Sequence, residues 1–497
     1  MLEKNESIKV NKNTILKATK WSFITEIMAK MIVPITNMIL ARLLVPEIFG
    51  IVASINVIIS FSDMIADAGF NRYLIQHQYE SDNELHKDAN VAFWSHFSLS
   101  SLLFIVILIF RNMLAEFIGI PGYELPMIVA SLSLPLTSLS SIQIALYRRK
   151  YEYKRLFFNR ILAIITPFIV TIPLALFNFS YWSLIIGTLC GLLVQVINLT
   201  YHSEWRPRLF FKFTQLKNML SFSIWTLCES IALWASSWID IFIIGNILGS
   251  FYTGLYKTSQ STVTGIFNII TSSIISVTFV SLSRVQNDDK LFLNMLLSFQ
   301  KYLCMLVLPL GAGIFVFKDL ITNILLGQAW YEASTFIGVW GLCTAFVASY
   351  GTLCREAYRS KGKPKISLIA QLLHLVFVIP VCYFSAVKGF DVLIYTRSFA
   401  YLQIIIVHFI FVKLFLNISP YKMVINTGGP LMSSLAMGIF SSALKNSFSN
   451  GVLGDIIVIG LSVILYFSLL LIFPSYRKVI IGIIKKGISL CLKKKHY

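Results

Sequence analysis

Charge is scarce in this sequence: only 13% of its 497 residues are Asp, Glu, Lys or Arg, about half the share found in ordinary soluble domains. A water-facing surface is therefore excluded over most of the chain. There is also no CxxC pair and no Cys/His spacing that suits zinc. The cysteines, Cys190, Cys228, Cys304, Cys343, Cys354, Cys382 and Cys491, are scattered mostly inside apolar runs, which excludes an extracellular disulfide framework and leaves them as small packing residues. No phosphate-cradling glycine loop, zinc motif or nucleophile elbow stands at a usable position, so an enzyme is not expected. The first apolar run is too long for a signal peptide and lacks a small-residue cleavage site, so it reads as a first span.

What the chain has in excess is apolar side chain, 56% of residues including 39 Phe and 21 Tyr, and lipid is the solvent that accommodates it. The formal net charge of +19 sits in short clusters between apolar runs and not along one soluble face, so it sets topology and does not point to nucleic acid. Runs of about 20 apolar residues, the length that crosses the hydrocarbon, predict spans near 19–43, 47–69, 90–111, 125–146, 157–178, 181–202, 219–247, 251–282, 297–317, 334–355, 366–386, 390–413, 428–445 and 453–473. The expectation is an all-α polytopic membrane protein of about fourteen transmembrane helices.

With the N-terminus in the cytoplasm, one side receives Lys4, Lys9, Lys12, Lys17 and Lys20, then Arg148, Arg149, Lys150, Lys154 and Arg155, then Arg206, Arg208 and Lys212. Arg355, Arg359, Lys361, Lys363 and Lys365 fall on the same side, as does the tail from Arg477. The opposite loops hold little beyond Arg111, Lys318, Lys388 and Lys445. This asymmetry is what the positive-inside rule requires, and it puts both termini in the cytoplasm. Several outer connections are only a few residues long, which leaves no room there for a catalytic domain. The tail alternates Ile and Leu with Lys, and an interfacial helix on anionic lipid and a plain basic stop both fit it.

The two halves echo one another. Leu44 and Gly50 match Leu248 and Gly254 at one constant offset, each pair at the end of the first helix of its half. Tyr147, Arg148, Lys150 and Lys154 match Tyr358, Arg359, Lys361 and Lys365 in the loop after the fourth helix of each half. A repeat with an even number of helices keeps its orientation, so the halves are expected to be related by an axis along the membrane normal, with a site between them. The predicted division is a cytoplasmic segment 1–18, a six-helix lobe 19–204, a linker 205–218, a second six-helix lobe 219–417, two further helices in 418–475 and a basic tail 476–497.

A basic N-terminus before KWSFITEIMAKMIVPITNMILARLLVPEIFGIVASINVI, the LLxPxxFG motif, DMIADAGF closing the second helix and the loop QIALYRRKYEYKRLFF together resemble the polysaccharide transporters of the multidrug/oligosaccharidyl-lipid/polysaccharide (MOP) exporter superfamily, the branch that contains O-antigen and capsule-type flippases. The resemblance covers nearly the whole chain and is most specific in the first seventy or so residues. It implies export of an undecaprenyl-diphosphate-linked oligosaccharide repeat across a bacterial plasma membrane by alternating access, for surface polysaccharide. It further implies a V-shaped, MATE-like pair of lobes around a cavity lined by the first, second, seventh and eighth helices. No cofactor is implied beyond H+ or Na+ coupling. Implied partners are the lipid-linked oligosaccharide, membrane lipids, a glycan polymerase and glycosyltransferases, with no nucleic acid. A multidrug antiporter of the same superfamily is the rival in mechanism, and an integral-membrane glycan polymerase the rival in class.

An ionisable group in the hydrocarbon costs at least about 2.5 kcal/mol, so those that persist face a partner or a wet cavity. Lys30, Arg42, Lys257 and Arg397 are candidate cavity cations for a diphosphate or acidic sugar. A structural pair with Glu26 is the other reading of Lys30, and snorkelling to headgroups the other reading of the remaining three. Glu26, Glu229, Asp63 and Asp240 are candidates for ion coupling, because burial and a nearby cation shift a carboxyl in opposite directions. Asp67 reads as an anchor or cap, and His374 and His408 as helix-packing histidines. Trp225, Trp234 and Trp238, with Tyr256, suit either sugar stacking or aromatic packing. Pro34, Pro167, Pro173, Pro309 and Pro380 fall within spans, Pro34 being the candidate hinge.

Overall fold

The computed structural model describes residues 34–448, 451–478 and 480–482, with Trp21, Met28 and Ile32 before them. Glu26, Lys30, the segment 1–18 and the tail from 483 onward lie outside the described residues, as does the side chain of Trp225. Every regular element among the described residues is helical.

The first helix is described over 34–43 (α1). It is followed by α2 (Pro46–Asp67), α3 (Phe70–Gln76), α4 (Asp82–Ile109), α5 (Arg111–Phe117), α6 (Glu124–Ser131), α7 (Ser133–Arg149), α8 (Tyr153–Leu176) and α9 (Tyr181–His202). After a linker come α10 (Phe213–Leu248), α11 (Ser250–Arg284), α12 (Asp289–Val316), α13 (Lys318–Leu325) and a 3-10 turn, Gln328–Ala333. Then α14 (Ser334–Val347) passes through a π-helical turn, Ala348–Thr352, into α15 (Leu353–Ser360). The chain ends with α16 (Pro364–Val387), α17 (Phe390–Leu416), α18 (Pro420–Asn426), α19 (Gly428–Phe448) and α20 (Val452–Leu470).

Twelve helices among the described residues are long and apolar enough to cross a membrane, and α18 with α19 forms a thirteenth span bent by 49°. They correspond one for one to the spans expected from residue 47 onward, so the chain is a multi-pass helical membrane protein. The break in α18–α19 was not expected. Thr427 stands at the joint, where its hydroxyl donates to the Val424 carbonyl at 2.8 Å and lies 2.6 Å from the Tyr350 hydroxyl, so a backbone acceptor beside the bend is satisfied. The prolines do not break their helices either. Pro167 and Pro173 lie inside continuous α8, and Gly187 and Gly191 of α9 make room for Thr171 and Pro167.

The described residues divide into two compact units, the first ending at Lys257 and the second beginning at Thr258. In the second, 83% of the apolar window of the Gln328–Ser360 span is buried, against 11% for α8 in the first. That span is the centre of its unit, whereas α8 offers most of its surface to lipid. Helices α10 and α11 run 36 and 35 residues. At 1.5 Å per residue each measures about 50 Å, well beyond a hydrocarbon core of about 30 Å. Each helix therefore continues past the hydrocarbon at one end or lies tilted within it.

Candidate functional site

The glycines of the sequence echo meet in space. A Cβ on Gly50 would lie 1.7 Å from the Ser250 carbonyl oxygen, and a Cβ on Gly254 would lie 1.8 Å from that of Pro46. The two contacts are the same contact with the partners exchanged, since Pro46 stands to Ser250 as Gly50 stands to Gly254. Such reciprocity is the mark of a local two-fold relation. Only glycine permits it, because both backbones approach closer than any side chain allows. Here α2 crosses the start of α11 within the first unit.

Two charges, Asp240 and Lys257, stand near this crossing. Asp240, only 4% exposed, accepts a 2.7 Å hydrogen bond from the Tyr256 hydroxyl. Next to Tyr256, half-buried Lys257 places its ammonium 4.6 Å from the centre of the Trp238 ring, a cation–π contact. Trp238 itself packs with Trp234, Ala53, Val57 and Ile241 between α10 and α2, and the Trp234 indole N–H donates to the Ser60 hydroxyl at 3.0 Å. The rings thus serve as packing between helices, and Trp238 in addition holds the lysine.

Toward the basic end of the same helices, Arg72 donates to Glu229 at 2.9 Å. The two side chains are 43% and 45% exposed, so the pair contributes about 1 kcal/mol or less. That is cheap enough to be broken and remade. Asp63 is half-buried, and one of its carboxyl oxygens has no hydrogen-bond partner among the described residues. One turn on, Asp67 accepts from the Asn71 amide, which also donates to the Ser141 hydroxyl at 2.7 Å. Asp67 therefore anchors the end of α2, as the sequence suggests. Arg42 is exposed near the end of α1.

Arg397 is placed differently. It lies in the second unit, 4% exposed, with its guanidinium 5.2 Å from the Trp340 ring and 6.0 Å from the Tyr401 ring. It does not snorkel to an interface. The histidines are packing groups: His374 is 2.9 Å from the Gln403 side chain, and His408, 2% exposed, is 3.4 Å from the Tyr358 hydroxyl. No group of three or more metal-capable side chains occurs among the described residues.

The second sequence echo is a structural device. The Tyr147 hydroxyl donates to the His202 carbonyl at 2.8 Å, and the Tyr358 hydroxyl donates to the His408 carbonyl at 3.2 Å. In each unit a buried tyrosine ties the helix before the basic loop to a helix later in that unit. The loop cations are engaged too: Arg149 caps the carbonyls of Leu74 and His77 at 2.9 and 2.6 Å, Lys150 pairs with Glu204 at 2.8 Å, and Lys361 pairs with Asp289 at 2.6 Å. Sequence reasoning missed Arg72. It follows the second span in a short helix, and only the fold brings it to Glu229.

The chain is an all-helical, multi-pass bundle with isolated charges inside its apolar spans, an arrangement that suits passage of a polar cargo. The chain belongs to the polysaccharide biosynthesis protein family, which matches residues 39–335. It is 22% identical over 343 residues to the succinoglycan biosynthesis transport protein ExoT of Rhizobium meliloti (strain 1021), covering 69% of each chain. It is 21% identical to the lipopolysaccharide biosynthesis protein WzxC of Escherichia coli (strain K12), covering 86% of this chain and 87% of that one. Among solved structures, the lipid II flippase MurJ in an inward closed conformation superposes with a TM-score of 0.75 at 15% identity, over 94% of this chain and 100% of that one. An inward-facing multidrug resistance MATE family transporter of the MOP superfamily gives 0.60 at 16% identity, over 78% and 94%. The fold is the one these two solved structures share.

Proposed function

We propose that the chain carries an undecaprenyl-diphosphate-linked oligosaccharide repeat from the cytoplasmic to the outer leaflet of a bacterial plasma membrane by alternating access. The observation that carries this reading is the likeness of most of the chain to proteins named for succinoglycan and lipopolysaccharide biosynthesis. An apolar groove adds support for a lipid-linked cargo. It has a volume of about 360 Å3 and runs between α12, α19 and α20, lined among others by Leu306, Pro309, Phe317, Met437 and Phe467. A groove without charge suits an isoprenoid chain.

In this reading both termini are cytoplasmic, following the basic loops. Lys30, Arg42 and Lys257 offer cations to the diphosphate or to acidic sugars. Arg397 was expected among them, but its burial against the stacked Trp340 and Tyr401 rings favours packing. Glu26, Glu229, Asp63 and Asp240 are the candidates for a coupling H+ or Na+, and a glycan polymerase and glycosyltransferases are the implied partners. Glu229 acts through its reversible pair with Arg72.

The test is complementation of a deletion strain. Lys30→Ala and Glu229→Gln should each reduce surface polysaccharide by about tenfold at normal protein abundance, with lipid-linked precursor accumulating. Full surface glycan in both variants would remove the site assignment, and a deletion strain with unaltered glycan and no precursor would remove the export reading.

A further inference from the structure

The linker between α9 and α10 is irregular in backbone and rigidly mounted. Trp205, 5% exposed, and Phe210 turn inward against the cluster of Phe93, Leu85 and Met219. The Trp94 indole donates to the Arg208 carbonyl at 2.9 Å, and the Arg208 amide donates to the Asn90 side chain at 2.9 Å. The Phe210 amide then turns back on the Arg208 carbonyl at 2.8 Å, so Leu209 stands at the tip of a tight turn. What this mount presents outward is apolar and basic in alternation. Leu209 is 93% exposed, Phe211 55% and Phe213 72%, with exposed Arg206 and Arg208 just before them and exposed Lys212 between Phe211 and Phe213. No acidic residue interrupts Arg206–Phe213, and none of the three cations is in an ion pair among the described residues.

We propose that this linker is a docking surface for the anionic phospholipid headgroups of the leaflet on the basic side of the chain. Leu209, Phe211 and Phe213 dip into the acyl boundary, and Arg206, Arg208 and Lys212 hold phosphates. Three observations select lipid as the occupant. The segment begins directly after a membrane span ending at His202, so it lies at headgroup level, and irregular backbone does not go deeper. Its cations complement an anionic surface, while its apolar side chains are too exposed to be stable in water. And the hydrogen-bonded mount holds the turn fixed, so exposure of Leu209 is built in and not a product of fraying. The proposal goes beyond the cargo reading and is independent of it.

The full-length protein, with Cys190, Cys228 and Cys491 replaced by Ser, is labelled with a nitroxide at Leu209→Cys or, as a water-exposed control, at Asn83→Cys. It is then placed in nanodiscs of mixed phosphatidylglycerol and phosphatidylcholine. The label at 209 should collide with dissolved oxygen more than with a water-soluble nickel chelate, and the label at 83 the reverse. In parallel, Arg206→Gln/Arg208→Gln/Lys212→Gln should lose about threefold of the phosphatidylglycerol retained by the wild type in native mass spectrometry, with an unchanged melting temperature. A label at 209 that meets the chelate as freely as the one at 83 overturns the proposal and assigns the patch to a soluble partner. Unchanged phosphatidylglycerol retention in the triple variant overturns it as well.

Discussion

The two compact units each carry a tyrosine tie but place their cations differently. In the unit ending at Lys257, Lys257 rests on one ring face and Arg72 and Glu229 are each nearly half exposed, while Asp240 is enclosed and hydrogen-bonded to Tyr256. In the unit beginning at Thr258, Arg397 is buried against the stacked pair of Trp340 and Tyr401, and Glu356, 7% exposed, is paired with Arg359. What is common to both units is the scaffold, the tyrosine tie of Tyr147 and of Tyr358. What differs is whether a charge is available to a ligand. Buried and enclosed charges specify packing, whereas half-buried ones can change partner at small cost.

The comparison breaks most readily at the glycine crossing. Gly50→Ala and Gly254→Ala each put a methyl group where a carbonyl oxygen lies, and each should destabilise the protein by about 3 kcal/mol or more, since backbone and not a flexible side chain must yield. Thermal melting of the purified protein measures this. Wild-type melting of either variant would show that the crossing is not tight. The equivalence of the ties is sharpened by Tyr147→Phe and Tyr358→Phe, which should each cost about 1 kcal/mol. The double variant should show the sum, because the sites lie in different units and share no partner. A double variant no worse than either single would mean that only one tie bears load.

A smaller effect belongs to the Lys150–Glu204 pair. Its hydrogen bond holds the Glu204 carboxyl below the ordinary carboxylate range and pushes the Lys150 ammonium up. A depressed carboxylate pKa means that the stabilisation is present at neutral pH and is lost as pH falls through that depressed value. The pair is largely exposed, so Glu204→Gln should lower the melting temperature only slightly at neutral pH and converge on wild type at acid pH, which flattens the acid limb of the profile.

The span pattern was legible because an apolar run of fixed length is a local property: every span from residue 47 onward has its helix. The repeat was legible through four residues, and the structure shows why those four were readable. Gly50 and Gly254 are the points of backbone contact, and Tyr147 and Tyr358 make equivalent ties. Pairings across helices were not legible. Nothing local marks Arg72 as the partner of Glu229, because 157 residues separate them. Arg397 looked like any arginine near a helix end until Trp340, from a different helix, was seen to cover it. The bend between α18 and α19 escaped as well, since Thr427 and its partner Tyr350 come together only in the fold.

The central claim is that the accessible charges of the first unit serve transport while the enclosed charge of the second serves packing. The direct measurement compares Lys257→Met with Arg397→Met, reading membrane abundance and lipid-linked oligosaccharide together in one complemented strain. Lys257→Met should reach wild-type abundance yet accumulate precursor, and Arg397→Met should lose about 2 kcal/mol of stability and fall in abundance, with export falling only in proportion. Normal export from Lys257→Met, or an abundant Arg397→Met protein that fails to export, would contradict the account.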